Sequence, residues 1–285
     1  ALHLAAALGR EDALKQLVAA GAAPDRRAAD GQTPLGVALA AGRRDLADWL
    51  DWRGWRLPRR PLQACDVPAA AIVGDAEGDY FGYAIAMSAD AKTLVVGAHA
   101  SNDDTGYVKV YRTNSMRLIG QGKFREGQGI FGEAALDYFG SSVDISSDGK
   151  TLAIGAPGYY VKVYHLESNG LTSSWTQIGQ DIIGEADGDD FGYSVSLSDD
   201  GKTLAVGAPS NDGNGEDSGH VRVYRMDDSS TSWTQVGEDI NREAEYDSSG
   251  YAVSLSADGT TVAIGAPYND DNGVYSGHVR IFSVK

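Results

Sequence analysis

Several things are scarce in this 285-residue chain, and each scarcity excludes something. There is one cysteine, Cys65, so no internal disulfide can form, and the usual sequence sign of secretion is missing. No N-x-S/T acceptor is present, and no run of about 18 apolar residues offers a membrane-spanning helix. A starting Met and a charged-then-apolar leader are lacking, so the expectation is a fragment of a longer chain. Positive charge is short: 24 Lys and Arg face 40 Asp and Glu, for a net charge of −16. The first 65 residues hold ten basic against seven acidic side chains (+3), and the remainder fourteen against thirty-three (−19). So acidic a body argues against nucleic acid or an anionic membrane as partner.

Catalytic patterns are scarce too. His3, His99, His165, His220 and His278 are dispersed, and no H-E-x-x-H, G-x-S-x-G or phosphate-binding glycine loop occurs. The expectation is a protein that is not an enzyme and requires no cofactor.

What the chain has in plenty is repetition. FGYSVSLSDDGKTLAVGAP (Phe191 to Pro209) has counterparts at Phe81 to His99, Phe139 to Pro157 and Ser249 to Pro267. Apolar positions alternate in two runs around an Asp-Gly pair, the pattern of a two-stranded hairpin with a tight turn. A glycine opening each phrase (Gly82, Gly140, Gly192, Gly250) precedes a second one (Gly97, Gly155, Gly207, Gly265) by 15 residues every time, while the copies stand 58, 52 and 58 residues apart. A third alternating run follows, such as GHVRVYRM (Gly219 to Met226), and in places a fourth, WTQIGQDI (Trp175 to Ile182) or WTQVGEDI (Trp233 to Ile240). Repeated four-stranded antiparallel units of this length predict a mainly β protein, a β-propeller spanning residues 67–285. The glycine-rich stretch from Gly120 to Gly132 reads as a loop insertion, and Tyr111, Tyr164, Tyr224 and Phe282, recurring at matching places, as packing between blades.

The pairing of Phe-Gly with Gly-Ala-Pro resembles the FG-GAP repeat of integrin α propeller heads and many extracellular repeat proteins. The resemblance implies a propeller, usually of seven blades, that binds a partner through its loops. In the integrin-like version the hairpin turn is a calcium loop, but Ser198 to Thr203 is too short to wrap an ion, so calcium is not carried over to that position. Two other loop classes concentrate oxygen ligands: those before Phe-Gly, such as GEADGDDFG (Gly184 to Gly192), and those between the second and third runs, such as SNDGNGEDSGHV (Ser210 to Val221). Asp212, Asn214, Glu216 and Asp217 form the candidate calcium site, with weak affinity expected because no full D-x-D-x-D-G register occurs. The competing reading is that these are turn residues only.

Residues 1–57 have helical periodicity and an internal interval of 33, as from Leu2 to Leu35 and from Gly21 to Gly54. Leu2-His3-Leu4-Ala5-Ala6 and Thr33-Pro34-Leu35 resemble the ankyrin repeat, with Gly36 in place of the usual His. A Pro- and Arg-containing linker, 58–66, follows. The two resemblances imply different compartments, extracellular for the propeller and intracellular for ankyrin, so the compartment stays open. The function expected is a non-catalytic binding or adhesion scaffold for a protein or glycan, through propeller loops and ankyrin surface. The alternative is an accessory propeller of an enzyme whose catalytic domain lies outside this chain. One expectation concerns closure: Val67 to Val73 either pairs beside Gly277 to Val284 and closes a ring of four blades, which four complete blades by count favour, or lies unpaired because further blades belong between them.

Overall fold

The chain divides into two units, Ala1–Pro68 and Ala69–Lys285. A computed structural model describes residues 72–112, 125–168, 173–226, 232–241 and 244–285, together with Gln16, Pro34, Val37 and Ala38 of the first unit. The ankyrin-like segment as a whole, the linker and Cys65 lie outside the described residues.

The second unit is a four-bladed β-propeller arrangement. Blade 1 has strand order β1 (Ile85–Met87), β2 (Thr93–Ala98), β3 (Tyr107–Arg112), β4 (Arg125–Phe131). Blade 2 has β5 (Ser142–Ile145), β6 (Thr151–Ala156), β7 (Tyr160–Ser168), β8 (Ser173–Gln177), with β9 (Ile182–Ile183) also on β7. Blade 3 repeats this with β10 (Ser194–Leu197), β11 (Thr203–Ala208), β12 (His220–Arg225), β13 (Thr234–Gln235) and β14 (Ile240–Asn241). Blade 4 has three strands, β15 (Ala252–Leu255), β16 (Thr261–Ala266) and β17 (His278–Ser283). All pairings are antiparallel, and the innermost strands of successive blades lie against one another.

Each hairpin is closed by the same local chemistry. In blade 2 the Ser146 hydroxyl donates to Asp148 (2.8 Å) and accepts the Thr151 N–H (2.9 Å), while Asp148 accepts the Lys150 N–H (3.0 Å). Ser88, Ser198 and Ser256 do likewise with Asp90, Asp200 and Asp258. The turn carboxylate thus serves to hold the turn.

The two glycines of the motif have distinct tasks. Gly82, Gly140, Gly192 and Gly250 all have φ near +90°, where a side chain is strained, and each donates its N–H to the carbonyl of the second glycine of its own hairpin. That second glycine faces the next blade. A Cβ on Gly97, Gly155 or Gly207 would stand 2.1, 2.1 or 2.0 Å from the carbonyl oxygen of Gly140, Gly192 or Gly250. Spacing within the phrase is therefore constant because both glycines belong to one hydrogen-bonded hairpin, and their identity is fixed by the contact between blades.

Among the described residues, apolar cores sit between successive sheets. Val95, Val108, Val110 and Ile130 of blade 1 meet Phe139, Leu152 and Ile154 of blade 2. Ala153, Val161 and Val163 meet Phe191, Val195 and Leu204, and Ala205, Val221 and Val223 meet Val262 and Ile264. Tyr164, Tyr224 and Phe282 pack into these cores, and Tyr111 lies edge-on to Phe81.

One expectation is corrected, and another is met only at its edge by the described residues. The stretch read as a loop insertion contains β4, paired with β3 from Tyr107↔Phe131 to Arg112↔Arg125 with a register shift. An outermost strand needs only one ladder of partners, which lets it carry glycines that dilute the alternation. Of the segment expected to close the ring only Ile72 and Val73 are described, exposed and outside any strand, and β17 pairs only with β16 among the described residues. Val67 to Ala71 lies outside the described residues.

Candidate binding face at the loop end

The propeller has two unlike ends. Hairpin turns gather at one, joined blade to blade by Ala89 N–H to Ser147 O, Ser147 N–H to Asp199 O and Asp199 N–H to Ala257 O. The loops before Phe-Gly and those between the second and third strands meet at the other. Buried Asp79, Asp137, Asp189 and Asp247 organise this loop end. Asp137 accepts the Glu133 and Ala134 N–H groups and the Tyr160 hydroxyl (2.6 Å); Asp79 accepts the Ala76 N–H and the Tyr107 hydroxyl. Burial opposes the charge on Asp79, yet these hydrogen bonds outweigh it and hold its carboxyl below the usual range. In blades 3 and 4, whose third strands open with His220 and His278 instead of tyrosine, Asn211 and Asn269 supply the donor to Asp189 and Asp247.

A second recurring device was not read from the sequence. The third residue of each third strand is a cation, and in three blades it reaches the acidic residue that opens the loop before Phe-Gly. Lys109 bonds Asp75 at 2.6 Å, Lys162 bonds Glu133, and Arg222 bonds Glu185. Lys162 also faces Asp181, and Arg222 makes two 2.8 Å bonds to Asp239, whose carboxyl it holds below the usual range. Gln177 and Gln235 donate to those same aspartates. The signal was available: a basic residue recurs inside YVKVY and HVRVY, where the alternation of a buried strand predicts none. In blade 4, Arg280 lies over Phe282 and donates to the Asn241 carbonyl.

Glu185, His220 and Asp239 bring three metal-ligating atoms within 4.8 Å of one another. The guanidinium of Arg222 already bridges the two carboxylates, so a cation there would have to displace it. Burial lowers the pKa of His220, favouring its neutral form, and its Nε2 has no partner among the described residues.

Asp212, Glu216 and Asp217 line an open cleft of about 520 Å³ between the loops of blade 3, with Glu185, Asp187, Asp189 and Asn211; Asn214 is not in its lining. The Asp212 carboxylate accepts the Asp217 N–H (2.8 Å) and Glu216 accepts the Tyr246 hydroxyl, which pushes that tyrosine up to about 12. The structure thus brings three of the four expected ligands to one cleft and gives two of them work in holding the loops.

Tyrosines crown this end. Tyr83, Tyr193 and Tyr251 follow the motif glycine in three blades; Tyr193 and Tyr251 have ring centres 4.9 Å apart, Tyr251 meets Tyr268 (6.1 Å), and Tyr268 meets Tyr275 (5.7 Å). Burial, the bond to Tyr251 and the nearness of Tyr83 and Tyr268 push the Tyr193 hydroxyl well above its ordinary value. Tyr80, Tyr83, Tyr246, Tyr251, Tyr268 and Tyr275 are exposed. Across the eight loops at this end the sequence has one basic residue, Arg242, against many carboxylates, whereas Lys92, Lys150 and Lys202 stand at the hairpin turns.

The fold and this face define a β-propeller scaffold of repeated antiparallel blades. The FG-GAP repeat model matches residues 74–111, 184–224 and 243–282, and these stretches are FG-GAP repeats. Blade 2 falls outside those matches and builds the same hairpin. The model for ankyrin repeats (many copies) matches residues 2–50. No curated protein matches the chain. Among solved structures, the crystal structure of Sqt1 from Chaetomium thermophilum is similar at 17% identity and a TM-score of 0.48, over 72% of this chain and 44% of that one. This chain therefore spans less than half the length of that relative.

Proposed function

We propose that the chain is a non-catalytic protein-binding scaffold whose loop end receives a cationic segment of its partner. The observation that carries this reading is the polarity of the propeller: one end combines exposed tyrosines with many carboxylates, and its eight loops hold a single basic residue, Arg242. Lysine and arginine side chains gain from both features, by charge attraction and by stacking on tyrosine faces. The ankyrin repeats at residues 2–50 add a second protein-binding element. Calcium enters only as weak screening of the loop carboxylates; calorimetric titration is expected to show no submicromolar site, and tight binding would refute that.

The test is binding of the full chain to panels of basic, neutral and acidic peptides and of neutral glycans. Basic peptides are expected to bind, more weakly as salt rises, and to lose most affinity with Tyr193→Ala/Tyr251→Ala. Equal binding across charge classes, glycan binding alone, or no effect of the tyrosine substitutions would contradict the proposal.

A further inference from the structure

At two joints between blades, the loop after the second strand lies along the loop before the next motif glycine and closes it with backbone hydrogen bonds. In blade 1 the carbonyls of Asp103, Asp104 and Thr105 accept the N–H groups of Leu136, Tyr138 and Phe139 at 3.1, 2.7 and 3.2 Å. In blade 3 those of Glu216, Asp217 and Ser218 accept the N–H groups of Tyr246, Ser248 and Ser249 at 2.8, 3.1 and 3.0 Å. The receiving loop has one backbone form: Leu136 and Tyr138, like Tyr246 and Ser248, have positive φ. A glycine lets the two loops meet, since a Cβ on Gly106 or Gly219 would stand 2.2 or 2.3 Å from the carbonyl oxygen of Phe139 or Ser249.

The joint between blades 2 and 3 lacks this covering loop. Residues 157–159 alone join β6 to β7, where blade 1 has 99–106 and blade 3 has 209–219. Tyr159, 44% exposed, holds the place of Gly106 and Gly219, so the close approach that glycine permits elsewhere is not made here. The receiving loop nevertheless keeps its form: Gly188 and Asp190, at the places of Leu136 and Tyr138, have φ +93° and +56°. Their N–H groups have no partner among the described residues. Gly188 is exposed and Asp190 half-buried, whereas Phe191, at the third position, has no exposed surface. Two donors are thus left on an open edge, in the backbone form that two other joints fill with consecutive carbonyls. The charge of this edge differs too. Around the two donors the filled loops carry Ala135, Leu136 and Tyr138, or Glu245, Tyr246 and Ser248; this one carries Asp187, Gly188 and Asp190.

We propose that this edge receives an extended segment of the partner, two consecutive backbone carbonyls of which accept the Gly188 and Asp190 N–H groups while its Lys or Arg side chains pair with Asp187 and Asp190. The inference rests on the cationic partner proposed above and adds where, and by which atoms, that segment is held. Its main-chain half is the bond pattern the fold itself makes at two other joints. Its side-chain half follows from charge: the acidic segments that fill those joints, Asp103-Asp104 and Glu216-Asp217, would be repelled by Asp187 and Asp190, and a basic segment is attracted. Main-chain bonds of this kind give affinity whatever the sequence of the incoming segment, and the carboxylates beside them select its charge.

Residue-resolved amide exchange on the full chain, free and with the acetylated peptide Lys-Ala-Lys-Ala-Lys, tests this. In the free chain the Gly188 and Asp190 amides are expected to exchange faster than those of Leu136, Tyr138, Tyr246 and Ser248, and with peptide bound to slow into their range. Asp187→Asn/Asp190→Asn is expected to weaken the peptide by about fivefold, as loss of two exposed charge pairs would, with near-ultraviolet circular dichroism matching the parent. Peptide that binds yet leaves both amides unchanged, or that binds the double variant as tightly as the parent, would overturn the inference and leave the scaffold reading standing. Failure of any basic peptide to bind would remove both. Amides already slow in the free chain would show that residues of this chain fill the edge, and would overturn the inference as well.

Discussion

Ser198 has no exposed surface, yet its hydroxyl makes two bonds at once, to Asp200 at 2.6 Å and from the Thr203 N–H at 3.0 Å. Removing it leaves a buried N–H without its acceptor, so Ser198→Ala is expected to cost about 1–3 kcal/mol in urea denaturation. A change below about 0.5 kcal/mol would show that the hydroxyl is not holding the turn. His220 is a second residue whose burial has consequences. Desolvation lowers its pKa below 6.5, with Arg222 acting in the same direction and Asp239, Glu185 and Asp189 against it. The unfolded chain therefore takes up its proton first. The stability that neutral His220 contributes is present above pH 6.5 and is lost as pH falls from there towards its folded value. Replacing the pair with the blade 1 residues, His220→Tyr/Asn211→Ser, is expected to flatten stability between pH 7 and 5; an unchanged slope would assign that pH dependence elsewhere.

At the scale of the element, each blade is a hairpin with a third strand clasped to its loop, and the clasp gives the clearest comparison. The Arg222 side chain is held between two carboxylates, whereas Arg280 at the equivalent place in blade 4 is half-buried over Phe282 and bonds only a backbone carbonyl among the described residues. Arg222→Met should cost about 2–3 kcal/mol by stranding Asp239 and Glu185, and Arg280→Met less than about 0.5 kcal/mol. Equal effects on the unfolding midpoint would contradict the clasp. The hairpin itself was legible in the sequence because alternation, the Ser-x-Asp-Gly turn and the fixed glycine interval all report local geometry. The fourth strands were less so. β8 and β9, like β13 and β14, are one strand interrupted at Gly179 or Gly237, both with positive φ, and β4 is diluted by glycine. The clasp escaped because it links residues 29 to 37 positions apart, a contact no local pattern carries.

At the scale of the whole molecule, the acidic loops were visible in the sequence, but their common end and the tyrosines above them were not. Tyr83, Tyr193 and Tyr251 are single residues in separate copies, and only the stacking of blades brings them together. The expected ligand set was part legible for the same reason: Asp212, Glu216 and Asp217 share one loop, while Glu185 and Asp187 come from another. Charge polarity along the propeller is the account's central claim about function. Hydrogen–deuterium exchange on the full chain, with and without a bound lysine-rich peptide, tests it most directly, because it locates contact on the backbone. Slowed exchange is expected in 184–193, 210–219 and 244–251, with the hairpin turns at 198–203 and 256–261 unchanged. Protection at those turns, or binding that leaves the three loop segments unaltered, would contradict it.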